Sequence, residues 1–196
     1  MTSTNKLIIG AVSVLVVAGA IFFTVSNQNA NVAGYDFSAI LQDRPELKEF
    51  TDKIQKLLDA GAPDDELVSY YLQLGLAWKS LADRTLDETH YQKALQVYEK
   101  GIELSNGENT VFLNNAGNMS MEIKDYEKAK GFYEKAIKAA PGDNEAYVRL
   151  AELYRDYLGN DSETVIGIYN QGIDRSINTL PLIQRRDEYI ESQKGQ

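Results

Sequence analysis

The chain has 196 residues, 20 Lys plus Arg against 29 Asp plus Glu, a formal net charge of −9 and no cysteine. An acidic balance of this kind argues against nucleic acid as a partner, which needs clustered Lys and Arg, and reads first as solubility. The missing thiols exclude disulfides, thiolate metal sites, a thiol nucleophile and a lipidated cysteine. The single histidine, His90, excludes a His-based metal cluster or a Ser-His-Asp arrangement within one chain.

Residues 1–6 are a short polar start with one positive charge, Lys6, and residues 7–25 (LIIGAVSVLVVAGAIFFTV) carry no charge at all. As a helix the uncharged run is roughly 28 Å long at 1.5 Å per residue, close to the ~30 Å hydrocarbon core of a bilayer. Its Leu, Ile, Val and Phe residues each favour insertion by about 0.3–0.6 kcal/mol. A buried core helix is the bland alternative, but the run is apolar all round and an array of helical hairpins has no central cavity for it. A cleaved signal peptide would use Ala18-Gly19-Ala20 and leave Ile21-Phe22-Phe23 exposed at the new N-terminus. An uncleaved transmembrane helix fits better. Lys6 precedes it and no Lys or Arg follows until Arg44, so the positive-inside rule expects a cytoplasmic N-terminus and the remainder on the outer, periplasmic or extracellular, side of the cell membrane.

Residues 26–35, beginning SNQNANVAG, read as a polar tether. Residues 36–60 read as helical, with Phe37, Ile40 and Leu41 in one apolar cluster and Leu47, Phe50, Ile54, Leu57 and Leu58 in another. Pro45 suits an early helical position, and Gly61-Ala62-Pro63 breaks the pattern. These helices are expected to pack onto the open N-terminal side of the helical array that begins near Asp64.

The central stretch, residues 110–143, reads as two amphipathic helices joined at Lys124-Asp125 and closed by Pro141-Gly142. Leu113, Ala116, Gly117 and Ser120 share one face of the first helix; Tyr126, Ala129, Tyr133, Ala136 and Ile137 share one face of the second. The motif recurs. Tyr98-Glu99-Lys100-Gly101-Ile102, Tyr133-Glu134-Lys135-Ala136-Ile137 and Tyr169-Asn170-Gln171-Gly172-Ile173 are spaced by about 35 residues, in the range that marks stacked repeats.

This pattern resembles the tetratricopeptide repeat, a helix–turn–helix unit of roughly 34 residues. In the central copy Leu113, Ala116, Gly117, Ser120, Ala129, Tyr133, Ala136 and Pro141 fall on the signature positions. The first copy offers Tyr71, Leu74, Gly75, Trp78, Ala94, Tyr98 and Gly101, with an insertion of about seven residues around 82–90. The third offers Tyr147, Leu150, Ala151, Tyr154, Val165, Tyr169 and Gly172, with about two extra residues near 159–162. The resemblance implies an all-α fold: a right-handed superhelical stack of about three units, at about 64–107, 110–143 and 144–178. Leu180-Pro181 then opens a last helix, 180–194. It carries Leu182, Ile183, Arg186, Tyr189 and Ile190 on one face and polar residues on the other, as a terminal cap requires.

The resemblance also implies a concave groove lined by the first helix of each unit. Its inward positions would be Ser69, Leu72, Leu76 and Lys79, then Val111, Asn114, Asn115, Asn118 and Met121, then Glu145, Val148, Arg149, Glu152 and Arg155. Asn114 and Asn118, one turn apart, offer both a donor and an acceptor to a peptide backbone at ~0.5–1.5 kcal/mol per bond. The carboxylate clamp of some family members needs five residues, of which only Asn115 and Arg149 are matched. Leu72, Leu76 and Glu145 fill the others, so a clamp is rejected.

No phosphate-binding glycine motif occurs, the acidic loop at Asp156, Asn160, Asp161 and Glu163 lacks the order of a calcium loop, and no cofactor or metal is implied. Asn118-Met119-Ser120 and Asn160-Asp161-Ser162 match the glycosylation triplet, the first inside a helix and the second on a loop. The expectation is a non-enzymatic, membrane-anchored scaffold that holds a peptide segment or partner subunit in the groove for assembly of an envelope complex. The first rival is a self-assembling homo-oligomer or filament whose repeats stack between chains. The second, a cytosolic import receptor, lacks the basic residues expected after the apolar run.

Overall fold

The computed structural model describes residues 12–17, 20–25, 45–159 and 162–194, and the chain divides into two compact units, residues 1–44 and 45–196. In the first unit β1 (Val12–Val17) pairs antiparallel with β2 (Ala20–Val25), from Val12 opposite Val25 to Val17 opposite Ala20. These strands stand where one helix was expected. The run is rich in Val and Ile and carries two Phe, residues whose stiff or branched side chains suit a pleated ribbon better than a helix outside a bilayer. Among the described residues no helix is long and apolar enough to cross a membrane. The polar start, the tether, the Phe37–Leu41 cluster and Asn160 with Asp161 lie outside the described residues.

The second unit runs α1 (Pro45–Asp59), α2 (Asp64–Thr85), α3 (Glu88–Leu104), α4 (Thr110–Glu122), α5 (Tyr126–Ala139), α6 (Asn144–Leu153), a π-helical turn (Tyr154–Leu158), α7 (Ser162–Arg175) and α8 (Leu180–Gln193). Each helix packs chiefly on the next, giving the hairpins α2–α3, α4–α5 and α6–α7. Helix starts are set by side-chain caps: Asp87 accepts from the Thr89 amide, Asn109 from Val111 and Phe112, Asp125 from Lys128 and Asp143 from Glu145. Each such cap satisfies an orphan donor and is worth about 0.5–2 kcal/mol.

The seam between helices is built from tyrosine against glycine. Tyr98, Tyr133 and Tyr169 are at most 1 % exposed. Tyr98 packs against Gly75 and Tyr133 against Gly117, so closely that a Cβ on either glycine would overlap the ring. The same logic joins adjacent hairpins, with Phe112 on Gly101, and in the third hairpin Gly172 receives Tyr147 from α6 and Leu182 from α8. Glycine is used here for close approach, despite its cost inside a helix.

The extra residues in the outer copies do not form loops of matching length. In the first hairpin they extend the helices themselves. α2 is 22 residues long, and only Leu86 and Asp87 separate it from α3. The apolar pattern persists through the extension: Leu81, Ala82, Tyr91 and His90 are buried. His90, in the first turn of α3, shares a 2.9 Å hydrogen bond with Thr85 and lies 5.6 Å from the Trp78 ring. In the third hairpin the surplus is taken up by the π-helical turn, whose Tyr157 stacks on Tyr126 at 4.5 Å.

Both end helices bury one stripe and turn the other out. In α1, Leu47, Thr51 and Ile54 are buried while Lys48, Glu49, Asp52 and Lys56 are exposed. In α8, Leu182 and Tyr189 are buried while Gln184, Arg185, Asp187 and Glu188 are exposed. Polar outer faces at both ends suit a closed array rather than end-to-end stacking.

Candidate partner-binding face

The first helices of the hairpins, α2, α4 and α6, carry the residues that the repeat register assigned to a groove. On α2, Ser69 is exposed, Leu72 is half-buried, Leu76 is 46 % exposed, and Lys79 bonds Asp83 at 2.6 Å. On α4, Val111 is 48 % exposed and Met121 half-buried. The three asparagines of α4 behave differently from one another. Asn114 is 3 % exposed and its Oδ1 has no hydrogen-bond partner, so it belongs to the interior rather than to the surface. Asn115 donates through Nδ2 to the Val111 carbonyl at 2.8 Å. Asn118 accepts at Oδ1 from the Tyr133 hydroxyl at 2.8 Å. The expected pairing of Asn114 with Asn118 as surface groups therefore does not form; Asn115 and Asn118 share the open part of that helix.

The α6 portion is a charge network. Arg149 pairs with Glu152 at 3.2 Å, and Glu152 also takes Arg185 of α8 at 2.6 Å. Arg155 meets Asp156 through two 2.7 Å bonds, which hold the guanidinium above its ordinary range and the carboxyl below its own. Glu145 is exposed and Val148 half-buried. Repeat register alone had no means of placing Arg185 here. The contact comes from the turn after α7, which lays α8 across α6, with Asn144 donating to the Asn178 carbonyl at 2.6 Å.

The hydroxyls of two seam tyrosines end differently. Burial pushes the phenols of Tyr98 and Tyr133 well up. Tyr133 finds Asn118, whereas Tyr98, its counterpart in the first hairpin, has no partner for its hydroxyl, because Leu76 occupies the position that Asn118 holds. Two solvent-open clefts lie elsewhere. One of about 690 Å³ runs between α1 and α2 beside Lys53 and Tyr70, and one of about 550 Å³ lies between α3 and α5 beside Ile102 and Phe132. Among the described residues no cluster of His, Cys, Asp and Glu is placed to hold a metal ion.

The tetratricopeptide repeat family model matches residues 112–143, the α4–α5 hairpin. No curated protein matches the chain. Among solved structures, a thermophilic TPR protein from Thermus thermophilus is similar at 17 % identity, covering 83 % of this chain and 94 % of that one, with a TM-score of 0.53. The MamA protein is similar at 17 % identity, covering 86 % and 90 %, with a TM-score of 0.52. A MamA fragment from Desulfovibrio magneticus RS-1 is 23 % identical, covering 76 % and 85 %, with a TM-score of 0.48. At 17 % identity the first two likenesses speak to the fold alone. Residues 112–143 are a tetratricopeptide repeat, and the chain is a TPR repeat protein whose described helices form an all-α, TPR-like stack of eight.

Proposed function

We propose that the chain is a non-enzymatic scaffold whose α2–α4–α6 face holds an extended segment of a protein partner, and that residues 7–25 anchor it in a membrane. The observation that carries the reading is the pair Leu76 and Val111, 46 % and 48 % exposed, on neighbouring first helices whose other apolar positions are largely buried. Large apolar side chains left half-open beside asparagines are what an interaction surface needs: apolar area to bury and polar groups to fix register. The anchor rests on the uncharged run 7–25, and the outer-side placement on Lys6 preceding it with no cation following before Arg44. A helix there satisfies every backbone group within the bilayer, which an open two-stranded ribbon cannot do. An envelope assembly role follows from that placement. The filament reading is opposed by the polar outer faces of α1 and α8.

A photo-crosslinking residue placed at Leu76, at Val111 and, as a control, at the exposed Glu134 of α5 tests the binding face in cells of the native host. Adducts of one discrete mass at the first two positions and none at Glu134 support the reading. Equal labelling at all three overturns it. Carbonate extraction and protease treatment of spheroplasts test the anchor: release of the intact chain by carbonate, or protection of the repeats in spheroplasts, removes that part.

A further inference from the structure

The π-helical turn of the third hairpin is laid on the first turns of α5 at two points. Tyr154 receives Lys130, whose Nζ stands 5.5 Å from the ring centroid. Tyr157 stacks on Tyr126, with centroids 4.5 Å apart and ring planes 22° from parallel. The later turn residue meets the earlier residue of α5, so the turn runs antiparallel to that helix and both contacts hold it. Each side is fixed by its own bonds. Asp125, next to Tyr126, caps α5 by accepting from the Lys128 amide at 3.2 Å, and Arg155 grips Asp156 through two 2.7 Å bonds within the turn. π-Helical turns are rare and recur at functional sites. This one presents two phenols in contact at the surface, Tyr126 half-buried and Tyr157 52 % exposed.

We infer that Tyr126 and Tyr157 are the site of an oxidative cross-link: with hydrogen peroxide and a peroxidase the two rings couple into dityrosine, which staples the third hairpin to the second. Each phenol gives up one electron and its hydroxyl proton and becomes a phenoxyl radical, with unpaired spin on the ring carbons ortho to oxygen. One ortho carbon of each ring joins the other. Each joined carbon then releases its hydrogen while the oxygen regains one, which restores both aromatic phenols. One C–C bond forms, two C–H bonds break, and the two electrons and two protons reduce one hydrogen peroxide to two waters. At 4.5 Å the rings are in offset-stacked contact, so the radicals meet within one chain and need no collision between chains. Tyr98, Tyr133 and Tyr169, at most 1 % exposed, are sealed from an oxidising enzyme. The chain has no cysteine, so a disulfide cannot supply the same staple.

The full-length chain in nanodiscs is treated with peroxidase and hydrogen peroxide, and the chains that still run as monomers are digested and sequenced by mass spectrometry. The expected product is a peptide pair joined at Tyr126 and Tyr157, lighter by two hydrogens than its parts, with blue dityrosine fluorescence and a yield that does not change on dilution. Tyr126→Phe and Tyr157→Phe keep the stacked ring and so the fold, but neither can form the phenoxyl radical. Each should cut the dityrosine yield of the monomer roughly tenfold or more, because the remaining phenol has lost its held partner. Tyr70→Phe, which alters the half-buried tyrosine beside Lys53, should leave the yield as it was. The coupled chain should melt above the untreated one, since a closed loop restricts the unfolded chain. Absence of dityrosine, a link that forms between chains alone or maps to other tyrosines, a yield unchanged by Tyr157→Phe, or a lower melting temperature after coupling would overturn the inference.

Discussion

Two glycine-to-alanine changes in the same array should move its stability in opposite directions. A Cβ on Gly117 would stand 2.8 Å from two carbons of the Tyr133 ring and closer still to a third. That ring has no free space to yield, being 1 % exposed and tied by its hydroxyl to Asn118. Overpacking of a filled core costs about 1–3 kcal/mol, and the upper part of that range applies to a ring anchored at both ends. The intrinsic gain from replacing glycine inside a helix is about 1 kcal/mol, so the net loss is about 1–2 kcal/mol. Gly131, in the middle of α5, has nothing within 4 Å of its Cβ position. Gly131→Ala therefore keeps the helix gain of about 0.5–1 kcal/mol. In a folded unit of this size each kcal/mol is worth about 2–4 °C in Tm. Urea and thermal unfolding followed by circular dichroism on both variants decides the matter. Two shifts of the same sign, or an unchanged midpoint for Gly117→Ala, would refute the close-approach argument.

The remaining expectations concern a cap, an end helix and the buried phenols. Asn109→Ala removes the side chain that accepts from Val111 and Phe112 and should lower stability by about 1 kcal/mol, read as a urea midpoint shift with unchanged slope. Leu182→Ala empties a site that is 0 % exposed against Gly172 and should cost about 2–3 kcal/mol; a smaller cost than that of Asn109→Ala would mean that α8 is not a cap. Burial pushes the Tyr71 phenol up to about 12 and raises Tyr98, Tyr133 and Tyr169 as well. A raised folded pKa keeps its full stabilisation below the unfolded value near 10, and that stabilisation is lost as pH climbs from about 10 towards 12, by up to about 1.4 kcal/mol per pH unit for each tyrosine. Tyrosinate absorbance should then appear together with loss of the helical signal; tyrosinate formed near pH 10 with helices intact would contradict it.

The helical hairpins were legible because their apolar positions recur at helical spacing and their tyrosines at a constant interval. A small residue opposite the recurring tyrosine is a local requirement, and Gly75 opposite Tyr98 and Gly117 opposite Tyr133 carry it openly in the sequence. Harder to read were the places where one sequence feature serves two structures. The surplus residues of the first hairpin keep a buried stripe through Leu81, Ala82 and Tyr91, so they lengthen the helices rather than open a loop, and those of the third widen one turn into a π-helix. The run at 7–25 has a composition that suits both a membrane helix and a β-ribbon, and its described residues pair as strands. Among the candidate site residues, repeat register located the helix face but not side-chain depth. Asn114 turned inward while Asn115 and Asn118 were each fixed by a partner. The Tyr133–Asn118 bond lies within one hairpin and is deducible from register, since both residues occupy fixed repeat positions. Arg185 on Glu152 joins residues 33 apart through a turn, and no periodicity announces it.

Methyl and amide chemical-shift mapping on the full-length chain in nanodiscs, titrated with a peptide selected on that chain from randomised heptapeptides displayed on phage, tests the central claim most directly. The account predicts that the largest shifts fall on the Leu76 and Val111 methyls and on the Asn118 side-chain amide. Ile102, in the α3–α5 cleft, and the exposed Ile177 and Leu180 should stay in place. Saturable shifts concentrated at Ile102, with Leu76 and Val111 unmoved, would put the partner on the opposite helices and contradict the account.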